Sequence, residues 1–375
     1  MSKRLLLSFF FLMLIVCLIG ISFVYIQSKE SEQAAYKNLE SITKLKGEQL
    51  ENWLNERKSD GNILKDSLNL SLRIEQFIKA KNDPVSKIIL TNQLDILGDN
   101  YHYESVLLID TSGQLMLGKG KHLDIPPILQ ALLSKVLTTR QVLHTDLYQE
   151  DAGHIHMDWI VPIVTRTETH EQVIAAMVLR IDPYQFLYSL LKSWPTTTTS
   201  AETLLIRKEG VDVVYLNQLR HIKTAPIYFK LPLSTPQLSD SIAVQANQPG
   251  TVSGKDYRDT TVLTAFRPVA ETNWHLVARI DRKEVLAPMW QNLLWILSIT
   301  LAAMLIIFLA LSIIFRKQQQ VQMLEIEAHK SKINHKIQAL GDNIPNGFVF
   351  QYEIMANGQK RFNYLSRVRS ETITY

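Results

Sequence analysis

The pattern His154-x-His156, followed by Asp158, places three metal-capable or hydrogen-bonding side chains two residues apart. On a strand such spacing turns them to one face. Two imidazoles and a carboxylate can ligate a divalent ion. They can equally be the polar lining of a small-molecule pocket, and the pocket is the expectation: no metal and no cofactor. In a sheet covered by helices, a ligand sits in an apolar cavity with a few convergent polar groups. Tyr101, Tyr103, Asp146, His156, Asp158 and Trp159 are the candidate ligand-binding residues. Each also has a structural alternative: Asp146 could cap a turn and Trp159 could be core. Catalysis is not expected in this stretch. It has no phosphate-cradling glycine loop, zinc-protease helix motif or nucleophile elbow. His335 in "KINHKIQ" lacks the acidic residue and proline that follow a kinase phospho-acceptor histidine.

The elements that must position these residues begin at a membrane. The chain has 375 residues, 46% hydrophobic and only 20% charged. Leu5 to Ile26 and Leu293 to Phe315 carry no charge. At about 1.5 Å per residue, either run is long enough as a helix to cross a bilayer core of about 30 Å. Lys3-Arg4 and Arg316-Lys317 flank them on the side expected to be cytoplasmic, which puts residues 27–289 outside. The first run is too long for a signal-peptide core and no small-x-small cleavage site follows closely, so an uncleaved anchor is expected. The only cysteine, Cys17, lies in that run. The external segment therefore has no disulfide and needs an ordinary core. Residues 27–288 carry a net −2 and the remainder +6. A basic, juxtamembrane cytoplasmic side suits an anionic leaflet, and there is no basic face with interleaved aromatics for nucleic acid.

Inside the external segment one pattern occurs twice. "LLIDTSG" from Leu107 and "LLIRKEG" from Leu204 are 97 residues apart, and "VLRIDPYQFL" from Val178 and "VARIDRKEVL" from Val277 are 99 apart. Between these anchors each copy has an apolar strand with a proline, "WIVPIV" and "TAFRPV". A module of about 100 residues used twice is the reading. Each copy shows a strand, a turn with glycine and a strand, then a second hairpin. The tract "PTTTTS" after Trp194 falls between the copies and reads as a solvated connector. Ahead of the first copy, Glu30 to Lys79 has no proline and an apolar stripe of Leu39, Ile42, Leu45, Leu50, Trp53, Leu54, Ile63 and Leu64. One long helix packing along both modules is expected.

These residues resemble a known family. A membrane-anchored long helix, two tandem sheets and a return span are similar to the double Cache sensor region of bacterial transmembrane receptors. "KLKGEQLENWLNERKSD", "SAETLLIRKEGVDVVYLNQLRH" and "GKDYRDTTVLTAFRPVAETNWHLVARIDRKEV" carry the resemblance most closely. It implies an α+β fold of two tandem PAS-like antiparallel sheets on a long N-terminal helix, flanked by two transmembrane helices. It also implies a bacterial inner-membrane sensor of the histidine kinase or cyclic-di-GMP enzyme type. The amino-acid-binding subgroup reads its ligand with an arginine, tryptophan, tyrosine and aspartate closely spaced. That arrangement is not matched here, so amino-acid binding is not carried over.

The expected layout is a cytoplasmic N-terminus (1–4), a first span (5–26) and a periplasmic sensor (27–289). The sensor divides into a long helix and lead-in (27–100), a membrane-distal module (101–195) and a membrane-proximal module (200–289). A second span (290–315), a coiled-coil linker (316–340) and the start of a PAS domain (341–375) follow. In the linker, Met323, Ile326, Lys330, Ile333, Ile337 and Leu340 follow a 3-4 seam, which implies a homodimer with one lysine at a core position. Residues 341–366 resemble the opening hairpin of a PAS domain. The expected function is extracytoplasmic sensing of a small molecule, relayed through the second span to that domain and an output. The alternative is a structural or adaptor ectodomain binding a periplasmic protein without a small ligand.

Overall fold

The computed structural model describes residues 3–80, 83–150, 153–166, 171–223, 225–342, 350–355 and 358–365. It divides into two compact units, one of residues 22–290 and one of residues 1–21 with 291–375.

Helix α1 (Lys3–Asp66) is one uninterrupted helix of 64 residues. It stops because Ser67 turns extended and its side chain accepts the Leu70 amide, capping α2 (Leu68–Lys79). α3 (Pro84–Tyr101) starts on an Asp83 cap with proline in its first turn and ends at His102 in the left-handed region. The sequence reading of a single helix to Lys79 is therefore corrected: a cap at Ser67 breaks it. The stripe is corrected too. Leu39, Ile42, Leu50, Trp53 and Leu54 are buried, whereas Leu45 and Ile63 are exposed. Side chains of the first module come close to the helix at Gly61. A Cβ on Gly61 would stand 2.7 Å from a methyl of Val142.

The first sheet contains β1 (Ser105–Ile109), β2 (Leu115–Gly120), β3 (Leu143–His144), β4 (Tyr148–Gln149), β5 (Ile155–Arg166) and β6 (Glu171–Ile181), with α4 (Pro127–Thr139) between β2 and β3. Its order is β2-β1-β6-β5-β3, with β4 also on β5. Both faces are covered. Val106, Leu108, Trp159, Met177 and Leu179 pack against Leu50, Trp53, Ile74, Phe77 and Leu94 of the first three helices. Leu107, Ile109, Ile160, Ala176 and Val178 pack against Leu129, Leu133 and Val136 of α4. Burial on both sides is why these strands read as continuous apolar runs.

After α5 (Leu187–Lys192) comes the second sheet: β7 (Glu202–Glu209), β8 (Asp212–Tyr215), β9 (Lys230–Pro232), β10 (Gly250–Lys255), β11 (Thr261–Pro268) and β12 (Trp274–Asp281), with α6 (Ser239–Ala243) before β10. Its order is β10-β11-β12-β7-β8-β9. The two sheets share the order of four strands, β2-β1-β6-β5 matching β8-β7-β12-β11, and the register repeats at the anchor residues. Leu107 faces Val178, and 97 and 99 residues later Leu204 faces Val277. Pro162 faces Ala176, and Pro268 faces His275. α1 also serves this sheet: Leu39 and Ile42 pack on Leu263, Ala265 and Ala278.

α7 (Arg282–Asp342) begins at the residue after β12 and runs for 61 residues. α1 and α7 each contain a stretch apolar and long enough to cross a membrane. β13 (Phe350–Ile354) pairs with β14 (Lys360–Leu365) as an antiparallel hairpin, where the sequence anticipates one. The turn residues Ala356 and Asn357, and residues 343–349 and 366–375 of the anticipated PAS start, lie outside the described residues.

Candidate functional site

The repeated arginine of "VLRID" and "VARID" organises a buried ionic group in each sheet. A charged residue inside an all-apolar strand must find partners. In the first sheet Arg180 is fully buried, directly opposite Ser105 on one side and Asp158 on the other. Its Nε donates to Asp158 Oδ1 and its Nη2 to Asp158 Oδ2, both at 3.0 Å. Nη1 donates to Glu150 Oε1 (3.0 Å) and the His122 carbonyl (2.9 Å), and Nη2 also to the Asp124 carbonyl (2.9 Å). All five guanidinium N–H groups are thereby used. Tyr148 Oη donates to Asp158 Oδ2 at 2.6 Å. Burial alone would lower the arginine's pKa, but Asp158's hydrogen bonds and charge more than offset it and the pKa is raised. Burial, with the Asp158 charge beside it, pushes the Tyr148 phenol up.

Next to this group stand His122, His154, His156, Glu104 and Glu150. His156 is 1% exposed, and burial, with the nearby Arg180 charge, holds its pKa below the ordinary histidine value. The His122 ring lies 4.4 Å from that of His154 and 4.9 Å from that of His156.

In the second sheet Arg279 repeats the theme with other partners. Its Nε donates to Glu202 Oε1 (2.9 Å) and its Nη1 to Asp240 Oδ2 (3.0 Å), and its guanidinium lies 4.5 Å from the centre of the Tyr257 ring. Tyr215 donates to Asp240, and Tyr257 donates to Glu202 Oε2 at 3.2 Å.

A cavity of about 710 Å³ opens beside this second group, within the usual range for ligand pockets. Tyr184, Tyr188, Trp194, the threonine run, Asn217 and Arg220 are among its walls. Two of its hydroxyls, Tyr188 Oη and Thr198 Oγ1, are buried with no hydrogen-bond partner. The threonine tract is the connector that its composition suggests, with Thr196, Thr197 and Thr199 exposed, but it is tied down at its inner end. Arg220 donates to the carbonyls of Thr198 (3.0 Å) and Ala201 (2.5 Å). The amides of Thr199 and Ser200 donate to the two carboxylate oxygens of Glu284, each at 2.9 Å, and the Ser200 hydroxyl donates there as well. Burial would raise the Glu284 pKa, yet these donors, the Ser200 hydroxyl first, hold it below the usual carboxylate value. Glu284 sits in the first turn of α7.

Residues 24–289 match the family of Cache domains. The chain belongs to that family.

Among solved structures, the Cache region is similar to the ligand-binding domain of the Pseudomonas aeruginosa amino-acid chemoreceptor PctB in complex with L-Arg. That likeness has 14% identity and a TM-score of 0.45, and covers 68% of this chain and 92% of that one. It is also similar to a domain of a sensory box/GGDEF family protein from Vibrio parahaemolyticus, with 15% identity, a TM-score of 0.46 and coverage of 68% and 99%. A third is the ligand-binding domain of the Campylobacter jejuni chemoreceptor Tlp3 in complex with L-norvaline, with 14% identity, a TM-score of 0.48 and coverage of 68% and 94%. No curated protein matches the chain.

The Cache region separates the six residues that the sequence proposes for a ligand. His156 and Asp158 share a face with Arg180. Trp159, one residue on, points to the helix side, where its ring lies 4.6 Å from His144 and its Nε1 is buried without a partner. Tyr103 is buried beside α1, donating to Asp60 Oδ2 at 3.4 Å with the Arg57 guanidinium over its ring, and Tyr101 stacks on it at 6.2 Å. Asp146 ties the two sheets, accepting Trp274 Nε1 at 2.7 Å and pairing with Arg207 at 2.9 Å. Arg180, Glu104, Glu150 and His122 were not among the six. The arginine had a readable signal, since it interrupts the apolar run "VIAAMVLRI". The other three sit outside strands, at loop positions that no periodicity marks.

Proposed function

We propose that this chain is the extracytoplasmic input region of a membrane-bound signalling protein. A polar small molecule binds in the cavity under the threonine run, and its presence is relayed through α7 to the PAS-like hairpin and an output beyond it. One observation carries the reading. Thr198 presents an unpartnered hydroxyl to the cavity, while the next two residues are held by Glu284 in the first turn of α7. A ligand that engages Tyr188 and Thr198 would shift the connector, and the connector holds the start of the helix. Switches of this kind need shifts of only about 1–2 Å. The ligand must favour one arrangement by its differential affinity, typically about 1–3 kcal/mol. Bacterial inner-membrane placement and a homodimer belong to the same proposal. The exposed 3-4 seam of α7 supports the dimer, with Met323, Ile326, Ile333 and Leu340 all open to solvent in the single chain.

The test is a thermal-shift screen of the full-length chain in nanodiscs against amino acids, amines, carboxylates and sugars. A stabilising compound is expected, with its shift lost in Tyr188→Phe/Thr198→Val. If no compound shifts the wild type, or the double variant responds unchanged, the cavity reading fails.

A further inference from the structure

The strongest unabsorbed feature is the histidine–glutamate cluster of the first sheet. His122 Nδ1 and His156 Nε2 each lie 3.4 Å from one and the same oxygen, Glu150 Oε2. One donor atom from each of the three residues falls within 4.8 Å of the others. Ligands bound to zinc at about 2.0–2.2 Å in tetrahedral geometry stand roughly 3.3–3.5 Å apart. Both carboxylate–imidazole spacings already have that length.

The surroundings fit the same chemistry. His156 is 1% exposed, yet neither of its ring nitrogens has a hydrogen-bond partner. Each nitrogen faces a carboxylate oxygen, but neither contact has hydrogen-bond geometry, and a buried imidazole paired that poorly is costly unless something else engages it. Its Nδ1 lies 3.0 Å from Glu104 Oε2, and His122 Nε2 lies 3.7 Å from Glu104 Oε1. Metal-bound histidines regularly place their far nitrogen against a carboxylate, which fixes the ring and strengthens the ligand. Glu150 is oriented in turn, because its other oxygen accepts from Arg180 Nη1 at 3.0 Å. Charge points the same way. Glu104, Glu150 and Asp158 gather here, and among the described residues Arg180 is the only arginine or lysine paired with them. With neutral imidazoles, three carboxylates against one guanidinium leave a net charge of −2, matching a divalent cation.

We infer that His122, Glu150 and His156 bind a divalent transition-metal ion of the zinc class, with Glu104 as the outer carboxylate behind both imidazoles. Three protein ligands of this type leave a fourth position for water or another donor. The set differs from the His154-x-His156 plus Asp158 pattern visible in the sequence: Asp158 is consumed by Arg180 and Tyr148, and His122 comes from the segment after β2. The inference is independent of the cavity and of the relay. It concerns another part of the chain and holds whether or not anything is signalled.

The experiment uses metal-stripped full-length protein in nanodiscs, titrated with ZnCl2 against a chromophoric chelator and with CoCl2 for its visible spectrum. One equivalent of Zn2+ is expected, and Co2+ should give the intense absorption of a four-coordinate site. His122→Ala and Glu150→Gln should each abolish stoichiometric binding, and Glu104→Gln should weaken it about 10–100-fold. His154→Ala should bind as the wild type does. His122 sits on a connecting segment, so its variant is read only alongside a circular-dichroism spectrum matching the wild type, and Glu150→Gln keeps the side-chain volume. Absence of stoichiometric Zn2+ and Co2+ uptake by the wild type would overturn the inference. So would undiminished uptake by folded His122→Ala or Glu150→Gln, which would mean that the ion binds elsewhere.

Discussion

Lys46 shows how much one side chain can hold in this protein. Its ammonium donates to the carbonyls of Leu190 (2.9 Å), Leu191 (3.1 Å) and Ser193, and to Thr203 Oγ1 (3.1 Å). It thus joins α1 to the end of α5 and to the first strand of the second sheet. Burial lowers its pKa from 10.5 to about 8. The unfolded chain therefore keeps a proton that the folded chain releases between pH about 8 and 10.5, so this group makes the fold more stable as pH rises through that window. Urea unfolding of the wild type and Lys46→Met across pH about 8 to 10 should show a rising difference in favour of the wild type. A constant difference would contradict it. Arg279 gives a second test at this scale. Its removal leaves Glu202 and Asp240 buried and uncompensated, and breaking one partner of such a pair costs about 3–5 kcal/mol. Arg279→Met should lose about that much in denaturant unfolding, and a loss below about 1 kcal/mol would show that water reaches the carboxylates. Lys46 lies in a run quoted for its family resemblance, but nothing in the one-dimensional pattern says that a lysine there is buried. Its place on the helix decides that, and the partner residues that surround it are 144 to 157 positions away.

At the scale of elements, the duplication was legible because register preserves it. The apolar anchors of each copy pair with one another, so the repeat in sequence is the repeat in the ladder. The helices were less legible. α4 carries a good apolar stripe, Leu129, Leu133 and Val136, but it lies inside the first copy, between hairpins whose strand pattern draws the eye to sheet. The break of α1 depends on a single cap at Ser67, which a helix-favouring composition hides. The six ligand candidates were chosen by residue type, and strand alternation alone sends Trp159 and Asp158 to opposite faces. A prediction about α7 belongs here. If the seam from Met323 to Leu340 is a dimer contact, Lys330 at its core holds it from its most stable packing. Lys330→Leu should tighten the dimer, read as slower subunit exchange in nanodiscs, and fix the output in one state. Unchanged exchange would show that this stretch is a solvated helix.

The whole molecule is a Cache region bounded by two helices that can each cross a membrane. Basic pairs at Lys3-Arg4 and Arg316-Lys317 set the expected orientation. A reporter fused after Lys230 should be active only as an external reporter, and one fused after Lys336 only as a cytoplasmic one. The reverse pattern at either site would refute the orientation. The relay itself is tested most directly by helical phase. Residues 1–340 are placed before a histidine kinase output whose phosphorylation is read, and one to four alanines are inserted between Gln318 and Gln319. A rigid α7 turns about 100° per added residue. The account predicts that output swings with the number inserted, and that four residues, close to one full turn, return it nearer to the starting level than two do. Output that ignores the insertions, or falls steadily with their length, would contradict a signal carried by α7.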